Sequence, residues 1–221
     1  MMAYYFNIYQ KASGKIGKSA QKAVTDSLPA IKEAPDNLIV KISDAIRNLE
    51  DLSSSNKFFE NIVKDNKDFI KVDNNVYRYK DYFINIGKKF KLNTHAHRLE
   101  EIREYQLSSA PEIIAYSDLK NNMDCVLVTR IKNCKTSTPV PYEEVQADVT
   151  LEAKNKFLRD FDKLAKDDIA VDTMLDKRNW YVVPDTGEII LSNWSDFSKF
   201  GDDISKSVFK NKLRELCGLI Y

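Results

Sequence analysis

The chain has 221 residues, 43% of them hydrophobic and 30% charged, enough for one well-buried core or for one core with a helical extension. Its 34 basic and 33 acidic residues leave a formal charge of +1, which excludes the strong field that draws a protein to nucleic acid or to an anionic membrane. No window holds 18 consecutive apolar residues, so no membrane-spanning helix is expected.

The first residues, Met1 to Tyr9, lack a basic region followed by an apolar core, so a standard secretory signal is not expected. Cys125, Cys134 and Cys217 are odd in number and lack metal-ligand spacing. Cys125 lies in an apolar run and reads as a buried structural thiol, which fits a reducing compartment.

Residues 1–24 mix aromatics with Lys, Ser and Gly and read as a basic helix or an arm. After Pro29 and Pro35, Asp36 is placed to cap a helix whose stripe is Leu38, Ile39, Ile42, Ala45, Ile46 and Leu49. Ser53-Ser54-Ser55-Asn56 breaks that pattern, so residues 1–55 are expected to form an N-terminal arm and helix. Phe69–Val72, Val76–Tyr79 and Tyr82–Ile86 then read as three strands, turned at Asp73-Asn74-Asn75 and Lys80-Asp81. Gly87 and a lysine-rich loop follow, and Asn93 or Thr94 caps a helix expected to run through Leu99, Ile102 and Leu107.

Pro111 opens an edge-like strand, Glu-Ile-Ile-Ala-Tyr, and Asp124 to Ile131 is a buried strand. Residues 56–132 thus form one antiparallel sheet with one helix. In residues 133–221, a helix is expected from Tyr142 to Ala165, with Val145, Val149, Ala153, Phe157, Phe161 and Leu164 as its stripe. Pro184-Asp-Thr-Gly187 separates Trp180–Val183 from Glu188–Ser192 and marks a hairpin. A last helix covers Asp202 to Leu216. The fold class is α+β.

The hairpin, running from Asn179 before it to Asn193 after it, resembles that of the protein-kinase and aminoglycoside-phosphotransferase superfamily. There, Asn and Asp at these ends hold the Mg²⁺ that grips ATP. The similarity covers about residues 57–200 and implies a compact two-lobed kinase-like fold. Tyr82-Phe-Ile-Asn-Ile-Gly87 resembles the third strand, Leu99-Glu-Glu-Ile-Arg-Glu104 the following helix, and Pro111–Tyr116 with Val126–Arg130 the strands leading to the hinge. Ile169–Asp172 through Asn179 sits where the catalytic loop belongs.

The family's chemistry needs a cation on the phosphates, anionic oxygen on Mg²⁺ and a carboxylate to orient the attacking hydroxyl. In this alignment Asn85 stands at the lysine's position, with Lys88 or Lys89 as substitutes and Glu101, then Glu104, as the partner acid. Five residues before Asn179 stands Met174, so a general base requires Asp172 and a two-residue insertion. The metal side would be Asn179 with Asn193 or Asp196, although Asn193 brings no charge. No glycine lies between Gly17 and Gly87, which argues against a phosphate-covering loop. His95 and His97 point apart on a helix and read as surface or cap residues.

Two functions follow from the resemblance. The first is a degenerate, pseudokinase-like protein that binds a protein partner and requires no cofactor. Its small size resembles that of bacterial secreted effectors, placing it in a bacterial cytoplasm or a host cytosol. The second is an atypical phosphotransferase using ATP and Mg²⁺ with Asp172 as base. A third reading, another α+β module with accidental strand matches, requires that residues 57–92 and 111–131 not share one sheet.

Overall fold

A computed structural model of the chain describes residues 48–134 and 136–219, together with Ile42, Ala45 and Ile46. The expected arm at 1–24 and the start of the first helix lie outside the described residues. The fold is α+β, built on a five-stranded antiparallel sheet.

Helix α1, Leu52–Asp65, begins one residue before the serine run expected to break the chain and includes all of it. Asp51 and Ser54 form a reciprocal capping box, which satisfies two of the orphan N–H groups of a first turn. The serines therefore start a helix, and the expected boundary between residues 55 and 56 falls within its first turn. Phe58, Phe59, Ile62 and Val63 give α1 its apolar side. Phe59, fully buried, stacks on Phe69 and Tyr77, and Ile42 and Ile46 join the same cluster.

Strands β1 (Phe69–Asp73), β2 (Val76–Tyr79), β3 (Tyr82–Lys88), β4 (Glu112–Asp118) and β5 (Asp124–Arg130) lie in the order β1-β2-β3-β5-β4. Segments 69–88 and 112–130 thus share one sheet, with β4 at an edge as expected. Asn75 and Lys80 take left-handed backbone in the two tight turns, a conformation that asparagine tolerates better than most residues.

Helix α2, Lys89–Glu101, follows β3 without a loop. The lysine-rich segment is its first turns, and Thr94 lies inside it rather than at its cap, its hydroxyl donating back to the Phe90 carbonyl. Leu92, Ala96, Leu99 and Ile102 turn toward the inner face of the sheet.

After a short bridge, β6 (Val140–Pro141), the expected long helix is two: α3, Tyr142–Val145, and α4, Leu151–Ala165. Thr150 accepts the Ala153 N–H and caps the second one. Strand β7 (Ile169–Val171) leads through two 3-10 turns to the hairpin of β8 (Trp180–Val182) and β9 (Ile189–Leu191). Gly187, with φ of 71°, donates its N–H to the Val183 carbonyl and closes the Pro-Asp-Thr-Gly turn. Strand β10 (Phe197–Lys199) returns to pair with β7. Helix α5, Asp203–Leu216, has its own capping box from Asp202 and Ser205.

One buried cluster spans the sequence boundary at 132/133. It joins Leu99, Ile102, Tyr116 and Leu127 to Phe157, Phe161, Trp180, Trp194 and Leu213. No described helix is long and apolar enough to cross a membrane. Truncating Phe59 to Ala should cost about 3–5 kcal/mol in denaturant unfolding. A loss below about 1 kcal/mol would contradict the packing of α1 on the sheet.

Candidate functional site

The cleft lies between the inner face of β2, β3 and β5 and the β8–β9 hairpin. Side chains alternate along β3, so Tyr82, Ile84 and Ile86 join the core under α1 while Phe83 and Asn85 face the cleft. Phe83, Cys134, Val183 and Ile190 form a small core that closes one side. What remains is a cavity of about 250 Å³ lined by Val76, Asn85, His95, Thr129, Tyr181 and Ser192 among others.

A larger cavity, about 960 Å³, lies between the end of α2, the start of β4 and α4. It contains none of the residues singled out from the sequence. Six of its charges pair off, Lys156 with Glu188, Lys163 with Asp160 and Arg103 with Glu100, while Lys132, Arg159 and Glu112 also line it. The smaller cavity is therefore the candidate site.

His95, read from the sequence as a surface or cap residue, is a half-buried wall of that cavity. Its Nδ1 accepts the backbone N–H of Trp194 at 3.1 Å. Burial pushes its imidazole down to about 4, so the ring is neutral at pH 7 and carries its proton on Nε2. The signal was available in the sequence: Leu92, His95, Ala96 and Leu99 stand at i, i+3, i+4 and i+7, one face of a helix.

The expected lysines do not enter the cleft. Lys88 pairs with Asp124 at 2.8 Å, Lys89 with Asp118 at 2.5 Å, and Glu101 with Arg98 at 2.6 Å on the helix surface. Burial alone would raise the Asp124 carboxyl, but hydrogen bonds from Lys88, Asn121 and the Leu52 backbone outweigh it and hold it low. Asp124 is thus an anchor between α1 and the β4–β5 turn. Among the described residues no lysine or arginine lines the small cavity, and Asp73 is its one carboxylate.

On the hairpin side the motif residues are brought together, but their polar atoms are largely engaged. Asn193 Oδ1 accepts from the N–H and hydroxyl of Ser195 at 3.0 and 2.7 Å. Asn179 donates its amide to the Thr173 carbonyl, while its own carbonyl accepts from Ser192. Thr173 donates its hydroxyl to the Asn193 carbonyl at 2.8 Å. Asp172 is exposed; it accepts from Ser198 and its N–H reaches the Asp196 carbonyl.

Met174, five residues before Asn179, is fully buried, and its carbonyl accepts the Trp180 indole N–H at 3.0 Å. Among the described residues, no group of three or more His, Cys, Asp or Glu side chains is placed to hold a metal. Asn179, Asn193 and Asp196 offer a single anionic carboxylate between them, a poor match for Mg²⁺. All three cysteines are buried, and burial pushes each thiol up to about 11, so they are inert at neutral pH.

No protein-family model matches the chain, and no curated protein sequence matches it. Among solved structures it is similar to a 2.2 Å crystal structure of WbdD, at 14% identity and a TM-score of 0.43. That similarity covers 64% of this chain and 34% of that one. A co-crystal structure of WbdD with the kinase inhibitor LY294002 matches at 15% identity and a TM-score of 0.43, over 64% of this chain and 35% of that one. The chain thus spans about a third of the length of the structures it matches.

The depressed pKa of His95 has a defined linkage. Between about 4 and the ordinary value near 6.5, the unfolded chain binds the proton more tightly than the fold does. Its contribution is present above pH 6.5 and is lost as pH falls toward 4. Urea unfolding should therefore lose about 1–2 kcal/mol from this group between pH 7 and 4.5, allowing for partial exposure. In His95→Gln, whose amide oxygen still accepts from Trp194, that difference should vanish; identical pH profiles would refute the assignment.

Proposed function

We propose that this chain is a kinase-like protein without phosphoryl-transfer chemistry, which acts by holding a protein partner. The kinase-like part of this reading is supported by topology. The strand order β1-β2-β3-β5-β4, the helix between β3 and β4, the β7–β10 pair and the Asn-flanked hairpin follow the order that the resemblance implies.

The observation that carries the loss of chemistry is the make-up of the cleft. Phosphoryl transfer needs fixed positive charge on the phosphates, because the charge spread over the transferring group must be stabilised as it develops. Here the cleft presents Asn85 and a neutral His95, and among the described residues its walls carry no lysine or arginine and Asp73 is their one carboxylate. Met174 at the base position is apolar and fully buried, so it can take no proton. The β1–β2 connection is a tight asparagine turn, with Asn75 tied to Asn56 at 2.7 Å and to Ile86 at 2.9 Å, and offers no glycine backbone to a phosphate.

A binding role is supported by α5, where Ile204 and Val208 stand 74% and 63% exposed one turn apart. They flank a groove of about 660 Å³ that also includes Leu175 and Phe200. Contiguous exposed apolar surface is where interaction sites tend to lie, and these two side chains extend the apolar lining of that groove.

The test is transfer of labelled phosphate from ATP with Mg²⁺ or Mn²⁺, to itself and to a generic protein acceptor. Wild type and Asp172→Asn should be equal and at background, and nucleotide should leave the melting temperature unchanged. Metal-dependent transfer that disappears in Asp172→Asn would overturn the proposal in favour of an atypical phosphotransferase. A nucleotide at 100 times its dissociation constant would add about 2.7 kcal/mol, a rise of roughly 5–10 °C in a chain of this size.

A further inference from the structure

The larger cavity, between the end of α2, the start of β4 and α4, has walls fixed by internal bonds. Asp160, 2% exposed, accepts the Ser108 hydroxyl and the Ser109 N–H, both at 2.7 Å. The Ser109 carbonyl accepts the Leu191 N–H at 2.9 Å. The loop from Ser108 to Pro111 is thereby tied to α4 on one side and to the hairpin on the other. The cavity floor is apolar, with Leu107, Ile113 and Ile190 buried along it.

The rim is charged, and its balance is positive. Lys156, Arg159, Asp160 and Lys163 stand at i, i+3, i+4 and i+7, one face of α4. Asp160 spends its carboxylate on the loop. Lys163 reaches it only at 3.5 Å and donates to the Gln106 carbonyl at 3.1 Å. Among the described residues, neither Arg159 nor Lys132, which follows β5, has an acidic partner, and both are exposed. Glu112 is the one acid left to face them, since Glu188 and Glu100 are held by Lys156 and Arg103.

The overall charge of +1 does not describe this surface, because salt screens exposed charges beyond about 8 Å. An apolar centre inside a charged rim is the anatomy of a protein interface, whereas small-molecule pockets are lined mostly by apolar groups. No aromatic ring lines this cavity among the described residues, so a nucleic-acid strand would find no stacking platform.

We propose that this cavity docks a short acidic segment of a partner protein. Apolar side chains of that segment rest on Leu107, Ile113 and Ile190, and its carboxylates pair with Arg159, Lys132 and Lys163. Arg159 is the anchor, because a guanidinium grips a carboxylate through two parallel N–H bonds. The inference rests on the reading, given above, of this chain as a partner-binding protein, and it puts the partner on a surface apart from the α5 groove.

The test is fluorescence anisotropy of a labelled peptide that alternates glutamate and leucine, beside glutamine–leucine, lysine–leucine and glutamate–serine counterparts. The glutamate–leucine peptide should saturate, at least about tenfold tighter than any counterpart, and should weaken as salt is added. Arg159→Glu reverses an exposed charge and should weaken that peptide about tenfold or more, with the melting temperature of the wild type. Lys199→Glu, at an exposed cation on the α5 groove, should leave the affinity unchanged. No saturable binding, equal binding of the glutamine–leucine peptide, or full affinity in Arg159→Glu would each overturn the inference. Loss in Lys199→Glu with Arg159→Glu unaffected would move the peptide to the α5 groove, overturning this docking site while leaving the proposed function standing. A labelled single-stranded oligonucleotide is titrated in parallel, and tighter binding of it than of the peptide would also overturn the inference. Metal-dependent phosphate transfer from ATP would overturn the proposed function alone.

Discussion

Because a buried indole N–H has to find an acceptor, Trp180 and Trp194 fix the geometry of everything on the hairpin side of the cleft. Both are fully buried. Trp180 donates to the Met174 carbonyl and Trp194 to the Leu191 carbonyl, so each ring holds the loop that precedes it. The first bond holds the turn that carries Asp172 to Asn179. The second places the Trp194 backbone amide where His95 accepts it, and that contact ties α2 to the end of the hairpin. Tyr142 and Phe157 pack edge-on against Trp180, so helices α3 and α4 are referenced to the same ring. Removing either indole would release not a local contact but the relation between the sheet and the helical half.

What the cleft lacks follows from the same arrangement. The polar atoms at its hairpin edge are spent on the backbone: Asn193 on Ser195, Thr173 on Asn193, Asn179 on Thr173. On the sheet side the lysines that follow β3 are drawn outward by Asp118 and Asp124. A phosphate entering here would meet neutral amides, an uncharged imidazole and one carboxylate. At this edge of the cleft the polar side chains serve the fold itself through internal hydrogen bonds.

Much of the architecture was legible in the sequence because the local signals were unambiguous. Strands β1 to β3 are aromatic and β-branched runs separated by asparagine and lysine-aspartate turns, and Pro-Asp-Thr-Gly leaves little choice but a hairpin. The misses have physical causes. Ser53 to Asn56 reads as a breaker by composition, yet serine beside aspartate is also what a helix N-terminus needs. The lysines after Gly87 look like loop, but straight-chain residues suit a helix. The long helix was divided at Asp148 to Thr150, where a threonine cap outweighs the continuing apolar stripe. At the cleft, the hairpin was legible from its turn, and Asn85 was singled out through the resemblance to a kinase-like third strand. His95 was missed because histidine was weighed as a ligand pair with His97 rather than as a member of the apolar stripe it belongs to. The destinations of Lys88 and Lys89 depend on Asp124 and Asp118, acids that are distant in sequence and adjacent only through the β4–β5 turn.

The buried cluster that runs from Leu99 and Leu127 through Trp194 to Phe161 and Leu213 gives both halves one interior. Neither half encloses its own side of that cluster, so cleavage of the connection after β5 would leave two fragments with an open apolar face each. Such pieces would have to reassociate or aggregate. The first fragment would also keep a core of its own under α1, built on Phe59, Phe69 and Tyr77, so the loss would fall mainly on the face that the two halves share.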